Sequence, residues 1–212
     1  MTTTRLIVWR HGNTDWNAGH RVQGQTDVPL HDLGRQQAVD AAELLVRLRP
    51  DALVASDLRR AADTAAALAA LTGLPVRSDE RLRERHFGAW QGLTMAEVAE
   101  QRPEEHARWK DGEAVIGGGV ETLDDLGKRV ADGLQSAADL VPEGGTAIVA
   151  THGAAARQGV GHLLGWPSAQ LRTLRALQNC HWVELSHDPG RGWQLAAYNV
   201  GPFSDRPVPP PV

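Results

Sequence analysis

Two histidines and two arginines in this sequence have the residue types needed to handle a phosphoryl group. His11 and His152 each follow a short apolar run and each precede a glycine, while Arg10 and Arg60 lie close to the same kind of run. Guanidinium groups bind phosphate oxygens in pairs, and an imidazole can donate a hydrogen bond to phosphate or attack phosphorus. If the four side chains meet, they predict an anionic ligand. A passive anion site remains the alternative, because a lone histidine is more often structural.

Short apolar runs and the helical patterns between them supply the elements that must position these residues. The runs predict buried strands at Leu6–Trp9, Ala52–Ala55 and Thr146–Ala150, and a further strand is predicted at Val76–Ser78, after Pro75. Helices are predicted from the N-cap Asp32 to about Arg47, from the caps Ser56 and Asp57 to Gly73, over 123–140, and from Gly153 to about Leu164. Two further strands over 180–185 and 193–198 flank the turn Asp188-Pro189-Gly190.

Strands that alternate with helices predict an α/β fold, a three-layer α/β/α sandwich with a mostly parallel sheet. Ligands on such sheets bind beyond the carboxyl ends of the strands. That rule brings together the segments after the first, second and fourth strands, which carry the two histidines and two arginines. The helix that begins near Gly153 would add backbone N–H groups for an anion. The irregular stretch 81–122, with one or two short helices between 94 and 110, is expected to form an insertion over this site.

Length and composition limit the classes of partner. The 212 residues predict a single domain over 1–200 and a mobile, proline-rich tail over 201–212. The 22 Lys and Arg against 26 Asp and Glu leave a net charge of −4, which argues against nucleic-acid and membrane partners. A single cysteine, Cys180, and the lack of a signal-like apolar run near residue 1 predict a cytoplasmic protein. The oligomeric state stays open, with a homodimer as one alternative.

The first block, Leu6–Asn17, resembles the Arg-His-Gly signature of the histidine phosphatase superfamily, which includes cofactor-dependent phosphoglycerate mutases and many phosphomonoesterases. Further blocks follow in the family's order at Pro29-Leu30 with Leu33-Gly34, Ser56–Ala65, Leu82–Glu84 with Phe87–Gly92, and Thr151–Gly153. The blocks span roughly residues 5–165 and imply a phosphoglycerate mutase-like fold. One departure is Val120, which stands where relatives often carry the second glycine of Gly-Gly-Glu-Ser.

The resemblance also implies a role for each matching residue. His11 would be the nucleophile that forms a phosphohistidine, and Glu84 the acid that protonates the departing alkoxide and then activates water. Glu84 would have to carry a proton near neutrality, which is a hypothesis. Arg10, Arg60 and His152 would surround the phosphoryl oxygens. Asn17, Gln23, Gly24 and Gly153 complete the set of expected substrate-binding residues.

No cofactor and no metal are expected at this site. Guanidinium and imidazolium groups already supply the positive field that a phosphoryl transition state needs. Glu84 and His86 could suggest a metal, but no third ligand stands at a suitable spacing. The sequence also lacks the G-x-x-x-x-G-K-[ST] loop, so nucleotide hydrolysis of that type is disfavoured.

The sequence leaves a choice between hydrolysis, mutase chemistry and binding without turnover. The mutases of this family carry an extra segment after the Phe-Gly turn, whereas here 87–94 runs straight into a helical pattern. Hydrolysis of small phosphomonoesters is therefore favoured, with phosphoglycerate or glucosylphosphoglycerate esters as leading substrates. A cofactor-dependent phosphoglycerate mutase and a non-catalytic phosphate-binding module stay as alternatives. The presence of all four chemical residues, His11, Arg60, Glu84 and His152, argues against loss of turnover.

Overall fold

A mixed β-sheet positions the predicted site residues at one of its edges. The computed structural model describes residues 3–113, 115 and 118–202. Within them the strands are β1 (Thr4–Arg10), β2 (Ala52–Ala55), β3 (Val76–Ser78), β4 (Thr146–Thr151), β5 (Trp182–Asp188) and β6 (Gly192–Val200). Their spatial order is β3-β2-β4-β1-β5-β6. The first four are parallel to one another, while β5 and β6 add antiparallel pairs at the far edge. The predicted mostly parallel sheet is confirmed.

Helices cover both faces of the sheet. They are α1 (Asp15–Ala18), α2 (Asp32–Leu45), α3 (Arg59–Thr72), α4 (Met95–Gln101), α5 (Pro103–Asp111), α6 (Leu123–Ala138), α7 (Gly153–Leu163) and α8 (Ser168–Leu171). Alternate side chains of β1 enter two cores: Leu6 and Val8 pack with α6 and α7, whereas Ile7 and Trp9 pack with α2 and α3. This alternation follows from the two-residue period of a strand. It confirms the α/β/α sandwich. No helix among the described residues combines the length and apolarity needed to cross a bilayer.

Several predicted boundaries are wrong by a few residues. Asp32 is the first helical residue rather than the cap, because the Nδ1 of His31 accepts the N–H of Gly34 and caps α2. Helix α3 begins at Arg59, after Ser56 and Asp57, although Ser56 Oγ does accept the N–H of Leu58. The strand expected from 180 begins at Trp182, since Cys180 has a φ of 56° and lies in a tight turn outside β-strand geometry.

The irregular stretch after β3 forms the expected helical insertion. It contains the short 3₁₀ turns Glu80–Leu82 and Gly88–Trp90, followed by α4 and α5. A third, small core of Trp90, Val98 and Val115 holds these pieces together. Most of the tail that is predicted to be mobile, residues 203–212, lies outside the described residues. The division into a domain over 1–200 and a tail over 201–212 therefore stays a prediction.

Candidate active site

The two histidines are brought together by the pairing of β1 with β4. Arg10 at the end of β1 is in register with Thr151 at the end of β4, and His11 N donates to Thr151 O over 3.0 Å. His11 and His152 thus leave neighbouring strands at the same sheet edge. Their ring centroids lie 5.2 Å apart with the planes at 59°. Both side chains are buried, so the structure brings the predicted pair into one site.

His11 has the protonation pattern of a nucleophile. Its Nδ1 lies 2.7 Å from the carbonyl oxygen of Gly12, which can only accept, so Nδ1 carries the proton and Nε2 keeps its lone pair. Burial, followed by the charges of Arg60 and Arg10, holds the pKa of His11 well below its ordinary value of 6.5. The ring is consequently neutral at neutral pH.

Gly12 must be a glycine for this arrangement to form. A Cβ at Gly12 would lie 2.3 Å from the carbonyl oxygen of Gly34 in α2. The loop after β1 therefore packs its backbone directly against the first turn of α2. Gly12 N also donates to Thr64 Oγ1 in α3 over 3.0 Å. These contacts fix the carbonyl that orients His11.

His152 uses both of its ring nitrogens inside the protein. Arg60 Nε donates to His152 Nδ1 over 3.2 Å, which leaves the proton on Nε2, 2.9 Å from Ser56 Oγ. Burial, then the charges of Arg60 and His11, lower the pKa of His152 well below 6.5. In this structure His152 presents its ring to His11 and orients Arg60. A direct contact with phosphoryl oxygens stays a prediction.

The two arginines supply buried positive charge. Arg60 is fully buried and donates from its terminal nitrogens to the carbonyls of Thr26 and Gly24, over 2.8 and 2.7 Å. Burial lowers the pKa of Arg60 to about 10, so the group stays charged at neutral pH. Arg10 donates to Leu177 O over 2.5 Å, but its buried Nε has no hydrogen-bond partner among the described residues. That N–H is a donor available to an anion.

Glu84 is held at the N-terminus of α7. Its Oε1 accepts the N–H groups of Arg85 and Ala155 over 2.8 and 2.9 Å, and its Oε2 accepts that of Ala154 over 3.1 Å. Oε1 accepts two of these bonds and Oε2 only one, so Oε2 keeps the larger remaining capacity for hydrogen bonds. Arg129 donates to the backbone carbonyl of Glu84 over 2.9 Å, a further contact that holds this residue in place.

Arg10, His11, Arg60 and Glu84 face a cavity of about 190 Å³, whereas His152 and Gly153 are not among the residues that line it. Its lining includes predicted residues from the β1 loop, α3 and the insertion: Arg10, His11, Asn17, Gln23, Gly24, Arg60 and Glu84. The Oδ1 of Asn17 already accepts from Thr14 and Asn179, which leaves its amide nitrogen for a ligand. Gln23 is buried, and its Oε1 has no hydrogen-bond partner in the described part of the chain. Gly153 is the first residue of α7, and a Cβ at this position would lie 3.4 Å from Arg10 Nε.

A larger cavity of about 490 Å³ lies on another side of Arg10. Its lining includes Gln37, Asp40, Cys180 and His181, and Arg10 is the only predicted site residue among the residues that line it. The smaller cavity is therefore the candidate active site. Among the described residues, no group of three or more His, Cys, Asp or Glu side chains is placed to hold a metal ion.

The family is decided by comparison with known proteins. The family model described as the histidine phosphatase superfamily (branch 1) matches residues 6–201. This chain belongs to the histidine phosphatase superfamily. The family and the phosphomonoesterase class predicted from the sequence are thus confirmed.

Individual members of the superfamily resemble this histidine phosphatase over most of its length. It is 38% identical to the glucosyl-3-phosphoglycerate phosphatase of Mycolicibacterium vanbaalenii over 94% of its own chain and 96% of that protein. It is 40% identical to a metal-independent phosphoserine phosphatase of Arabidopsis thaliana over 73% of its chain and 66% of the relative. A solved mycobacterial glucosyl-3-phosphoglycerate phosphatase, in complex with VO3, superposes with a TM-score of 0.85 at 38% identity, covering 93% of this chain and 99% of that one.

Several residues around the site of this histidine phosphatase were not predicted from the sequence. Ser56 was interpreted as a helix cap, yet its hydroxyl also accepts from His152. Asn179 donates to His11 O over 3.0 Å and to Asn17 Oδ1 over 3.3 Å. The contact with His11 spans 168 positions, so no local sequence pattern predicts it. Five more cavity residues were given no substrate role: Arg21, Val22, Phe87, Met95 and Trp109. A tryptophan at position 109, in an otherwise polar and charged segment, was the one signal available in the sequence.

Proposed function

We propose that this histidine phosphatase hydrolyses small phosphomonoesters through a phosphohistidine on His11. The observation that carries the proposal is the neutral imidazole of His11, with a free Nε2, in a cavity that also holds Glu84, Arg10 and Arg60. A nucleophile, an acid and fixed cations in one place are the parts that phosphoryl transfer needs.

In the first step, His11 Nε2 forms a bond to phosphorus while the ester P–O bond breaks. The proton on Glu84 Oε2 passes to the departing alkoxide, which leaves as an alcohol. Arg60 and the orphaned Nε–H of Arg10 bind the phosphoryl oxygens and stabilise the charge that spreads over them. The Nδ1–H···O bond to Gly12 supports the positive charge that develops on the ring.

In the second step, the ionised Glu84 accepts a proton from a water molecule whose oxygen attacks phosphorus. The P–N bond then breaks, inorganic phosphate leaves, and His11 Nε2 recovers its lone pair. The same carboxyl group therefore serves as acid and then as base, which returns the site to its starting state.

The proposed substrates are phosphoglycerate esters, with glucosyl-3-phosphoglycerate as the leading candidate. Support comes from relatives of that name, which the chain covers almost completely. The cationic groups around the cavity suit an ester that carries a phosphate. We place the enzyme in the cytoplasm, because its single cysteine is a buried free thiol.

The test is a phosphate-release screen across phosphoglycerates, sugar phosphates, phosphoamino acids and nucleotides. We expect one phosphoglycerate ester to have the highest kcat/KM, and His11→Ala to lose turnover and the acid-labile phosphoenzyme together. His187→Ala is the control, since His187 pairs with Thr4 at the opposite end of β1. Full turnover in His11→Ala would refute the mechanism. Isomerisation of 3-phosphoglycerate that depends on 2,3-bisphosphoglycerate, without phosphate release, would refute hydrolysis.

A further inference from the structure

An exposed tryptophan at the mouth of the catalytic cavity is not explained by core packing. Trp109 lines the cavity and keeps 39% of its surface exposed. It belongs to α5, a helix in which no residue is buried. The other α5 residues are polar, charged or small, so Trp109 is its one large apolar side chain. A large apolar group on the surface at a ligand cavity indicates a contact with something other than the protein.

The position of Trp109 is fixed by its neighbours. The fully buried Trp90 donates from its indole N–H to Glu105 Oε2 over 2.6 Å, which ties α5 to the third core. The Trp90 ring contacts the Trp109 ring edge-on, with 6.4 Å between the ring centroids. The His106 ring stacks on the Trp109 ring, with 6.0 Å between their centroids. A side chain held in this way loses little freedom when a ligand binds, so its contact would contribute to affinity.

The size of the cavity determines which part of a substrate reaches Trp109. The volume of about 190 Å³ is below the ~300–1,000 Å³ of cavities that enclose a whole small ligand. In the proposed mechanism, His11, Arg10 and Arg60 hold the phosphoryl group in this space. A leaving group with more than a few atoms would then extend beyond the cavity, where the partly exposed Trp109 is available for contact.

The chemistry of the mouth fits a hydroxylated ring. Trp109, Phe87 and Met95 supply apolar surface, while Asn17 and Gln23 supply amide groups on the same cavity. A hexose has an apolar C–H face that packs on an aromatic ring and hydroxyl edges that need hydrogen bonds. An acyclic ester would leave the indole uncovered. We infer that Trp109 determines specificity by stacking against a sugar ring in the leaving group of the substrate, an inference that rests on the phosphatase function proposed above.

The experiment compares two esters that share the phosphoryl group and differ in the ring, glucosyl-3-phosphoglycerate and 3-phosphoglycerate. We expect Trp109→Ala to lower kcat/KM for the glucosylated ester about threefold to tenfold and to leave that for 3-phosphoglycerate within twofold. Trp109→Phe keeps an aromatic face and should restore most of the loss. Trp193→Ala is the matched control, because this indole also packs on a histidine, His187, at the other end of the sheet.

A binding measurement separates this inference from the proposed chemistry. In a His11→Ala background without turnover, calorimetric titration should show that adding Trp109→Ala weakens binding of the glucosylated ester and not of 3-phosphoglycerate. Equal losses for both esters, or no loss for either, would overturn the role of Trp109. Absence of phosphate release by the unaltered chain would instead overturn the proposed function, while the titration would still decide the role of Trp109.

Discussion

Arg60 and His152 are joined by a buried hydrogen bond of 3.2 Å between the guanidinium Nε and the imidazole Nδ1, across 92 positions of sequence. Because a guanidinium N–H can only donate, this bond places the imidazole proton on Nε2 and directs it to Ser56 Oγ. The same ring lies 5.2 Å from the ring of His11. One contact therefore sets the tautomer of His152 and the orientation of a buried guanidinium near His11.

Loss of the His152 ring should reduce turnover more than loss of the Ser56 hydroxyl that the ring contacts. His152→Asn removes the acceptor of Arg60 Nε, so we expect kcat/KM for phosphate release to fall by about 10²–10³-fold, as when one stabilising group of a transition state is deleted. Ser56→Ala removes only the contact to Nε2 and should cost about tenfold. Steady-state kinetics on both variants measures the difference. Equal rates in the two variants would contradict this ordering.

Arg60 should not be replaceable by lysine. A lysine has one ammonium in place of a planar fork, so it cannot bond His152 and the carbonyls of Gly24 and Thr26 together. We expect Arg60→Lys to lower the free energy of unfolding in urea by about 2–3 kcal/mol and to impair phosphate release. The adjacent Arg59 has an exposed side chain, and Arg59→Lys is the matched control that should change neither quantity. An unchanged unfolding midpoint in Arg60→Lys would rule out this prediction.

The buried histidines should make the fold less stable in acid. The folded pKa values of His11 and His152 both lie below the ordinary 6.5, chiefly because burial penalises their charged forms. Below that pH the unfolded chain takes up protons that the native state does not, so stability falls as the pH falls. Each histidine contributes up to about 1.4 kcal/mol per pH unit. The loss ends once the pH drops below the lowered folded pKa.

Urea unfolding at a series of pH values checks this proton linkage. His11→Gln removes one of the two groups. The number of protons taken up on unfolding below about pH 6.5 should therefore fall by about one, and the unfolding free energy should depend less steeply on pH. His152→Gln should do the same. If a variant keeps the full pH dependence of the unfolding free energy, the histidine that it replaces does not cause that dependence.

Glu84 should matter most for esters with poor leaving groups. Glu84→Gln keeps an oxygen for the N–H of Ala155, loses the acceptor of the Ala154 N–H and cannot donate a carboxylic proton. We expect kcat/KM for an alkyl phosphate to fall by about 10²–10⁴-fold. The fall should be smaller for 4-nitrophenyl phosphate, whose phenolate leaves without protonation. Glu80→Gln, at a carboxylate with 77% side-chain exposure, is the control. Equal losses for both esters would argue against an acid role.

The sequence was sufficient to predict the sheet edge where the two candidate histidines come together. The strands predicted over 52–55 and 76–78 coincide with β2 and β3, and the apolar runs before His11 and His152 become the adjacent strands β1 and β4. Helix ends were harder, because His31 caps α2 with a side chain that rarely does so. The contacts of Asn179 and Ser56 were missed because they join segments far apart in sequence.

Sequence alone determined which groups could react and on which strands they stand, because apolar periodicity and glycine positions are local properties. Only the tertiary structure decided the protonation pattern of the two rings, the three N–H groups that hold Glu84, and the place of Trp109 at the cavity mouth. Those features depend on distances of about 3 Å between segments that meet only after the helices pack on the sheet. Residue spacing along the chain does not encode such distances.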